Sequence, residues 1–287
     1  MASEKEMVIR NYRHWEGTNR FYCDGNVMTG PNPKALLFTF LLVTLPGIVF
    51  AAFPLAYYAQ NGAPIVTLLG VLLQAVSTIL LMVTALSDPG YIPRQVTKNR
   101  PNPKRKGTYD VLLRSAELVK LKYCHTCNVF RPPRAVHCSI CDCCVERMDH
   151  HCPWVGTCVG KRNYLAFFLF INSTLIYSVF VLIVSATHIS HVVSDYRETH
   201  GEEHARAFEL CMRESPLSLP LILYATAAFF FLAALCLYHY LLVCRNKTTN
   251  EDLKKSMRRL PRHPYDMASC TNNAAELLCA NVAEAHF

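Results

Sequence analysis

Charge is what this sequence lacks over long stretches. Lys, Arg, Asp and Glu make up 17% of its 287 residues, below the roughly 25% of ordinary soluble domains. The shortage is uneven: residues 35–86, 164–187 and 217–244 contain none of the four. A water-soluble fold of this length needs charge throughout its surface, so the distribution is that of a membrane protein. Met1–Lys34 lacks an apolar core and carries charges of both signs, which excludes reading it as a cleavable signal peptide. The uncharged runs hold one ionisable side chain, His239. A transport path lines its spans with several, so a channel or carrier is not expected, and a single histidine there reads as a hydrogen-bonded packing residue.

Hydrophobic residues, 52% of the chain, fill the uncharged stretches. A hydrocarbon layer about 30 Å thick takes roughly 20 helical residues. Four segments reach that length: Ala35–Ala59, Pro64–Leu86, Tyr164–Thr187 and Leu217–Cys244. In lipid the backbone must satisfy its own hydrogen bonds, so these are helices, and Pro46, Pro54 and Pro220 predict kinks in them. The alternative is a set of buried helices in a soluble core. Orientation follows from the basic residues. Of 29 Lys and Arg, five precede the first span, 14 lie in Ser87–Asn163 and seven follow Cys244, while three lie between spans three and four among six acids. Both termini and Ser87–Asn163 are therefore expected in the cytosol.

The expected organisation is a cytosolic segment 1–34, helices one and two in 35–86, a small cytosolic cysteine-rich domain at 87–163, helices three and four in 164–244 with a lumenal loop at 188–216, and a cytosolic tail at 245–287. Lys98–Lys106 reads as a solvated or lipid-facing basic patch rather than a nuclear address. Asn172-Ser-Thr matches a glycosylation acceptor but lies inside a span, which discounts it.

Eight of the 14 cysteines lie between Cys124 and Cys158, interleaved with His125, His137, His150 and His151. A reducing cytosol disfavours disulfides and leaves metal binding or thiol chemistry. Cys124-x-x-Cys127 and Cys138-x-x-Cys141 each have the spacing of a zinc half-site, and structural zinc takes four tetrahedral ligands, often Cys₃His. Two closed sites would consume eight of the twelve Cys and His residues and leave four. A domain this small buries little core, so metal would supply much of its folding energy. Among the rest, Asp149-His150-His151-Cys152 puts an acid, imidazoles and a thiol in sequence, followed by Pro153 and Trp154. A thiolate is the nucleophilic form of cysteine, and a neighbouring imidazole or metal centre favours it; an acid orienting the imidazole completes a triad. The same residues could instead finish a metal shell, and local reasoning leaves Cys152 and Cys158 both open as nucleophile.

The full run, Cys124-x2-Cys127-x9-His137-Cys138-x2-Cys141-x2-Cys144-x4-Asp149-His150-His151-Cys152-x5-Cys158-x4-Asn163-x3-Phe167, resembles the signature of the DHHC-type palmitoyltransferases. Asp88-Pro89-Gly90, Thr248-Thr249-Asn250-Glu251, Tyr265 and Asn273 resemble further marks of that family. The likeness extends from about Lys34 to Leu278, and Val119–Tyr164 resembles the branch that acylates Ras-type GTPases. The fold class this implies is an all-α polytopic membrane protein with four transmembrane helices and a small cytosolic two-zinc domain between helices 2 and 3. One structural zinc would be held by Cys124, Cys127, His137 and Cys144, the other by Cys138, Cys141, His151 and Cys158; Cys143 has no counterpart among the ligands. Cys152 would accept the acyl group, His150 act as its base, and Asp149 orient His150. Closed zinc sites argue against metal-activated water.

The activity implied is transfer of a long-chain acyl group from acyl-coenzyme A (palmitoyl-coenzyme A) through an acyl-Cys152 intermediate to protein thiols. Lys161, Arg162, Trp154 and Tyr177 are the candidates for contacts to the donor. Expected partners are membrane lipids and membrane-associated proteins with cytosolic cysteines, Ras-type GTPases among them, with an accessory subunit as a further candidate and no nucleic acid. The membranes expected are those of the endoplasmic reticulum or Golgi, with the plasma membrane as an alternative. The competing function is a catalytically silent zinc-stabilised membrane adaptor. Labelling from one face of intact vesicles should reach Gly107 and Glu202 from opposite sides; reaction of both from the same side would overturn the orientation.

Overall fold

The computed structural model describes residues 15–25, 27–95, 110–112, 118–254 and 263–278; the basic run Lys98–Lys106 lies outside them. The chain divides into two compact units. One contains Phe38–Leu81 and Phe168–Tyr238, the greater part of four helices long and apolar enough to cross a membrane. These are α1 (Pro33–Gln60), α2 (Pro64–Leu86), α3 (Tyr164–His200) and, after the short α4 (His204–Glu214), α5 (Ser218–Cys244). The other unit holds the cysteine-rich segment within Met82–Phe167 together with the chain up to Leu37 and from His239 onward.

Two expectations about the helices change, and that of an irregularity at Pro54 stands. Helix α3 does not stop at Thr187 but continues to His200, so residues 188–216 are not a loop. Nothing between breaks the helix; Gly201, at φ +65°, ends it. The chain then turns into α4, whose buried Ala207 and Cys211 pack on Val193. Pro54 falls within a π-helical turn, Ala51–Leu55, the usual local remedy for a proline inside a helix. Pro220 lies in the first turn of α5, where its missing N–H has no intrahelical partner to lose, so it gives no reason for a kink.

Within the helical unit, Phe50, Leu55, Tyr177, Val181, Val184, Leu221 and Ala225 form a buried cluster. Gly47 has a side-chain reason to be small: a Cβ there would lie 2.2 Å from Gln74 Oε1. The Tyr224 hydroxyl donates to the Leu42 carbonyl (2.7 Å) and the Thr67 hydroxyl to that of Leu55 (2.9 Å). In lipid such bonds satisfy groups that water cannot reach.

The expected all-helical character holds for the spans. The other unit is instead built of hairpins with strands of two or three residues, too short to show an alternating pattern. An N-terminal hairpin pairs β1 (Arg20–Tyr22) with β2 (Val27–Thr29). The strands that follow are β3 (Tyr91–Ile92), β4 (Asp110–Leu112), β5 (Leu118–Lys120), β6 (Tyr123–Cys124), β7 (Val129–Phe130), β8 (Val136–Cys138), β9 (Cys143–Val145), β10 (His150–Cys152) and β11 (Thr157–Val159). The pairs β4–β5, β6–β7 and β10–β11 are two-stranded, and β3–β9–β8 makes a three-stranded sheet. Met28 of β2 joins the same core as Tyr91 and Val145, and Thr18 N–H donates to the Cys141 carbonyl (3.1 Å). The helix α6 (Thr249–Leu253) and the C-terminal α7 (Cys270–Leu278) complete the unit. Cys244 and Cys270 are joined by a disulfide, a departure from the pattern expected of a reducing cytosol, at a point where Asn273 of α7 already donates to the Cys244 carbonyl (2.8 Å).

Two polar residues join helix ends to this segment. Asp88 accepts from the N–H groups of Gly90 (2.8 Å) and Tyr91 (2.9 Å) and pairs with Arg162; Gly90 at φ +103° allows the tight turn. Asn163, fully buried, donates to the carbonyls of Thr84 (3.1 Å) and Cys158 (3.0 Å) and accepts from Gly160 N–H (2.9 Å). Asn163→Ala would leave three buried backbone groups without that partner, each costing about 1–3 kcal/mol. The variant should therefore lose roughly 3 kcal/mol or more of stability, read as a lowered unfolding midpoint in detergent; an unchanged midpoint would contradict this account.

Candidate active site and metal centres

The metal clusters follow from strand pairing. In β8–β9, His137 lies opposite Cys144; in β10–β11, His151 lies opposite Cys158. Residues opposite each other in an antiparallel pair share a face, and each such His–Cys pair meets a Cys-x-x-Cys turn. The sets Cys124, Cys127, His137, Cys144 and Cys138, Cys141, His151, Cys158 each bring four ligand atoms within 4.8 Å of one another. His137 Nδ1 lies 3.6, 3.4 and 3.9 Å from the sulfurs of Cys124, Cys127 and Cys144. His151 Nδ1 lies 3.6, 3.4 and 3.6 Å from those of Cys138, Cys141 and Cys158. A tetrahedral ion with sulfur at about 2.3 Å and nitrogen at about 2.0 Å separates those atoms by about 3.5 Å, so both sets fit a metal ion. Cys143 stands outside them, donating to the Ile92 carbonyl (3.2 Å).

A repeat in the sequence underlies this assignment: the second set is the first shifted by fourteen residues, C-x2-C-x9-H-x6-C occurring twice. The sets interleave, since Cys138 and Cys141 of the second precede Cys144 of the first.

The strand β10 sorts the two adjacent histidines. Successive side chains of a strand face opposite ways, so His151 turns to the metal cluster while His150 and Cys152 share the other face. His150 Nδ1 lies 2.7 Å from Asp149 Oδ2, and its ring is close enough to the Cys152 thiol for the two to interact. Cys152 itself is buried, 4% exposed. Burial opposes charge on His150, but the hydrogen bonds and charges of Asp149 and Cys152 outweigh it and hold the imidazole's pKa up to about 10. Asp149 is the most enclosed acid of the group. Burial would raise its pKa, yet the hydrogen bond and charge of His150 and the Thr249 N–H keep it below the usual carboxylate value.

Asp149 is fixed from the far end of the chain. Its carboxylate accepts from Thr249 N–H and the Thr249 hydroxyl, both at 2.8 Å, and its backbone carbonyl accepts from Asn250 N–H (3.0 Å). Thr249 is placed by a capping box: Thr248 Oγ1 accepts from Glu251 N–H, and Glu251 accepts from Thr248 N–H. Arg134 holds Glu251 through two bonds of 2.9 and 2.8 Å, grips Asn246, and lies 4.5 Å over the Tyr265 ring. Arg147 donates to the carbonyls of Glu276 and Leu277 at the end of α7. None of these supports except the motif positions themselves was legible from local sequence.

The four candidate donor contacts fall in different settings. Lys161 pairs with Glu146 (3.3 Å) and Arg162 with Asp88. Trp154 is half-exposed. Tyr177 belongs to the helical unit, where it lines a cavity of about 50 Å³ with Pro46, Thr174 and Tyr224. A larger cavity, about 420 Å³, is lined by Lys120, Lys122, Arg131, Arg134, Asn250 and Lys254 among others. Arg134 is balanced by Glu251. Arg131 Nε and Asn250 Oδ1 are buried with no hydrogen-bond partner among the described residues, and burial followed by repulsion from Lys122 and Arg131 lowers the pKa of Lys254.

Residues 117–256 match the DHHC palmitoyltransferase family. The chain is 36% identical to palmitoyltransferase ZDHHC9 of Danio rerio over 298 residues, covering 95% of this chain and 74% of that protein. It is 35% identical to the Homo sapiens ZDHHC9 over 301 residues, 95% and 78% of the two chains. Against protein S-acyltransferase 8 of Arabidopsis thaliana the identity is 32% over 297 residues, 96% and 70% of the two. Two complete four-ligand sets predict two tightly held metal ions per chain; elemental analysis of purified protein returning one or none would contradict the pairing described.

Proposed function

This chain belongs to the DHHC palmitoyltransferase family and is a protein S-acyltransferase, and we propose that Cys152 carries the acyl group from acyl-coenzyme A to the acceptor thiol. The observation that carries this assignment is the placement of His150 between Asp149 and Cys152 while His151 faces the metal set. Of the two cysteines in this segment outside both ligand sets, Cys143 donates to the Ile92 carbonyl and Cys152 lies beside His150. With the thiol proton already held on His150, the Cys152 thiolate attacks the thioester carbonyl. The bond from carbonyl carbon to coenzyme sulfur breaks, and coenzyme A leaves with a proton. The acceptor thiol then gives its proton to His150, left neutral by that step, as its sulfur attacks the Cys152 thioester; the Cys152 sulfur leaves as thiolate and the site returns to its starting state. One thioester replaces another in each step, so covalent catalysis divides the transfer without a large change in bond energy. Asp149 keeps Nδ1 of His150 occupied, which points the other nitrogen at the proton in motion.

Zinc is the ion proposed for both sets, because closed Cys₃His shells suit it and leave no position for water. Their ligands serve to hold β10 in place. For the coenzyme phosphates the cavity at Lys120, Lys122, Arg131 and Lys254 is the better-supported site, because Lys161 and Arg162 are engaged by acids. It also shares Thr248 and Asn250 with the segment that fixes Asp149. The acceptors proposed are membrane-associated proteins with cytosolic cysteines, including Ras-type GTPases, at the endoplasmic reticulum or Golgi with both termini in the cytosol.

Purified protein incubated with labelled palmitoyl-coenzyme A, then with a Ras-type GTPase, tests these assignments together. Cys152→Ser should form no hydroxylamine-sensitive acyl-enzyme while retaining its metal, since a hydroxyl lacks an accessible anion. His150→Ala should also fail with metal retained, losing on the order of 10²–10⁴ in rate. His151→Ala should lose metal and aggregate. Arg131→Ala should raise the KM for the donor and leave acyl-enzyme turnover intact. Acylation of Cys152→Ser at the wild-type level would remove Cys152 from the mechanism, and an unchanged KM in Arg131→Ala would remove the phosphate site.

A further inference from the structure

His239 takes no part in the chemistry just described, yet its surroundings tie it to the site. It is 1% exposed. Its Nδ1 lies 3.1 Å from the Tyr164 hydroxyl. Its ring meets Phe167 edge to face, with centroids 5.0 Å apart at 70°, and its centroid is 6.3 Å from that of His150. Phe167 in turn meets His150 at 5.4 Å, also at 70°. The Phe167 ring therefore packs edge to face against both imidazoles. Tyr164 and Phe167, both buried, are one turn apart on α3 and share a face.

The polar contacts of His150 leave one freedom open. The bond to Asp149 fixes the direction of Nδ1, but a bond along one direction resists rocking of the ring about it only weakly. Packing of a ring edge against an imidazole resists that rocking. Phe167 supplies the packing, and a phenyl ring alone can give way. His239 stands against the same ring and is itself anchored by the Tyr164 hydroxyl. We propose that His239 is a positioning residue for acyl transfer: anchored by Tyr164, it holds Phe167 against His150 and so keeps the imidazole aimed at Cys152. The inference rests on the roles assigned above to His150 and Cys152. A ring that merely fills space would be replaceable by any ring of similar size, whereas the proposal requires the anchor.

The test compares Tyr164→Phe, His239→Phe and the double variant with wild type in purified protein. Replacing both partners of a buried hydrogen bond by apolar groups of the same shape is nearly neutral for folding, so the double variant guards against misfolding of either single one. Metal content should stay at the wild-type level. The rate constant for acyl-enzyme formation at saturating palmitoyl-coenzyme A should fall on the order of tenfold, with KM unchanged. Alkylation of Cys152 by iodoacetamide, followed on its peptide by mass spectrometry, should slow by a similar factor. The double variant should lose no more than either single one, because all three break the same bond. Wild-type acylation and alkylation rates in the double variant would overturn the proposal, as would loss of metal in parallel with activity, which would make His239 a structural residue. Acylation of Cys152→Ser would instead overturn the underlying assignment, so the two failures are distinguishable.

Discussion

Successive side chains of a β-strand face opposite ways, and the arrangement of this protein depends on that pleat at His150–Cys152. Without it, two neighbouring histidines could not serve two separate purposes. With it, His151 joins Cys158 across the hairpin in a metal set while His150 and Cys152 meet on the other face. A three-residue strand has almost no stability of its own. The ligands around it supply the fixity, so the thiol and its imidazole are held by the same hairpin that completes the metal shell.

Charge inside this unit is handled by pairing. Asp149 and Glu251 are buried carboxylates, and an unpaired buried charge is among the costliest features a protein can hold. Each has its cation and its N–H donors: His150 and Thr249 for the first, Arg134 and Thr248 for the second. Because Thr248 and Thr249 are adjacent, the two pairs form one continuous network from the Tyr265 ring to the Cys152 thiol. The C-terminal segment is thereby part of the site, although a hundred residues separate Asp149 from Thr249.

The spans were legible because a run of roughly twenty uncharged apolar residues is long enough to cross a bilayer and has no favourable place at a water surface. The metal half-sites were legible because Cys-x-x-Cys is tied to the size of a tetrahedron. Which histidine completes which set came from the family resemblance, and the fourteen-residue repeat agrees with it; strands this short leave no alternation from which local pattern could have given it. Helix α3 was underestimated because hydropathy reports the end of the apolar layer and not the end of the helix; only Gly201 marks the latter. Lys161 and Arg162 drew notice by their position in sequence, while the cations that share a cavity come from Lys120, Arg131 and Lys254, which no local pattern connects. His239 read as a packing residue because its neighbours Tyr164 and Phe167 lie more than seventy residues away.

The two metal sets use one spacing and cannot be separated along the chain. Any cut between Cys124 and Cys158 that frees one set also removes a ligand from the other, because the second begins before the first ends. The domain is therefore not a pair of independent fingers joined by a linker but a single loop bound twice. Strand β8 carries His137 of the first shell and Cys138 of the second, so closing one shell shortens the loop left to close for the other. With one set unfilled, such a loop has no intact subdomain in which the other could stand alone.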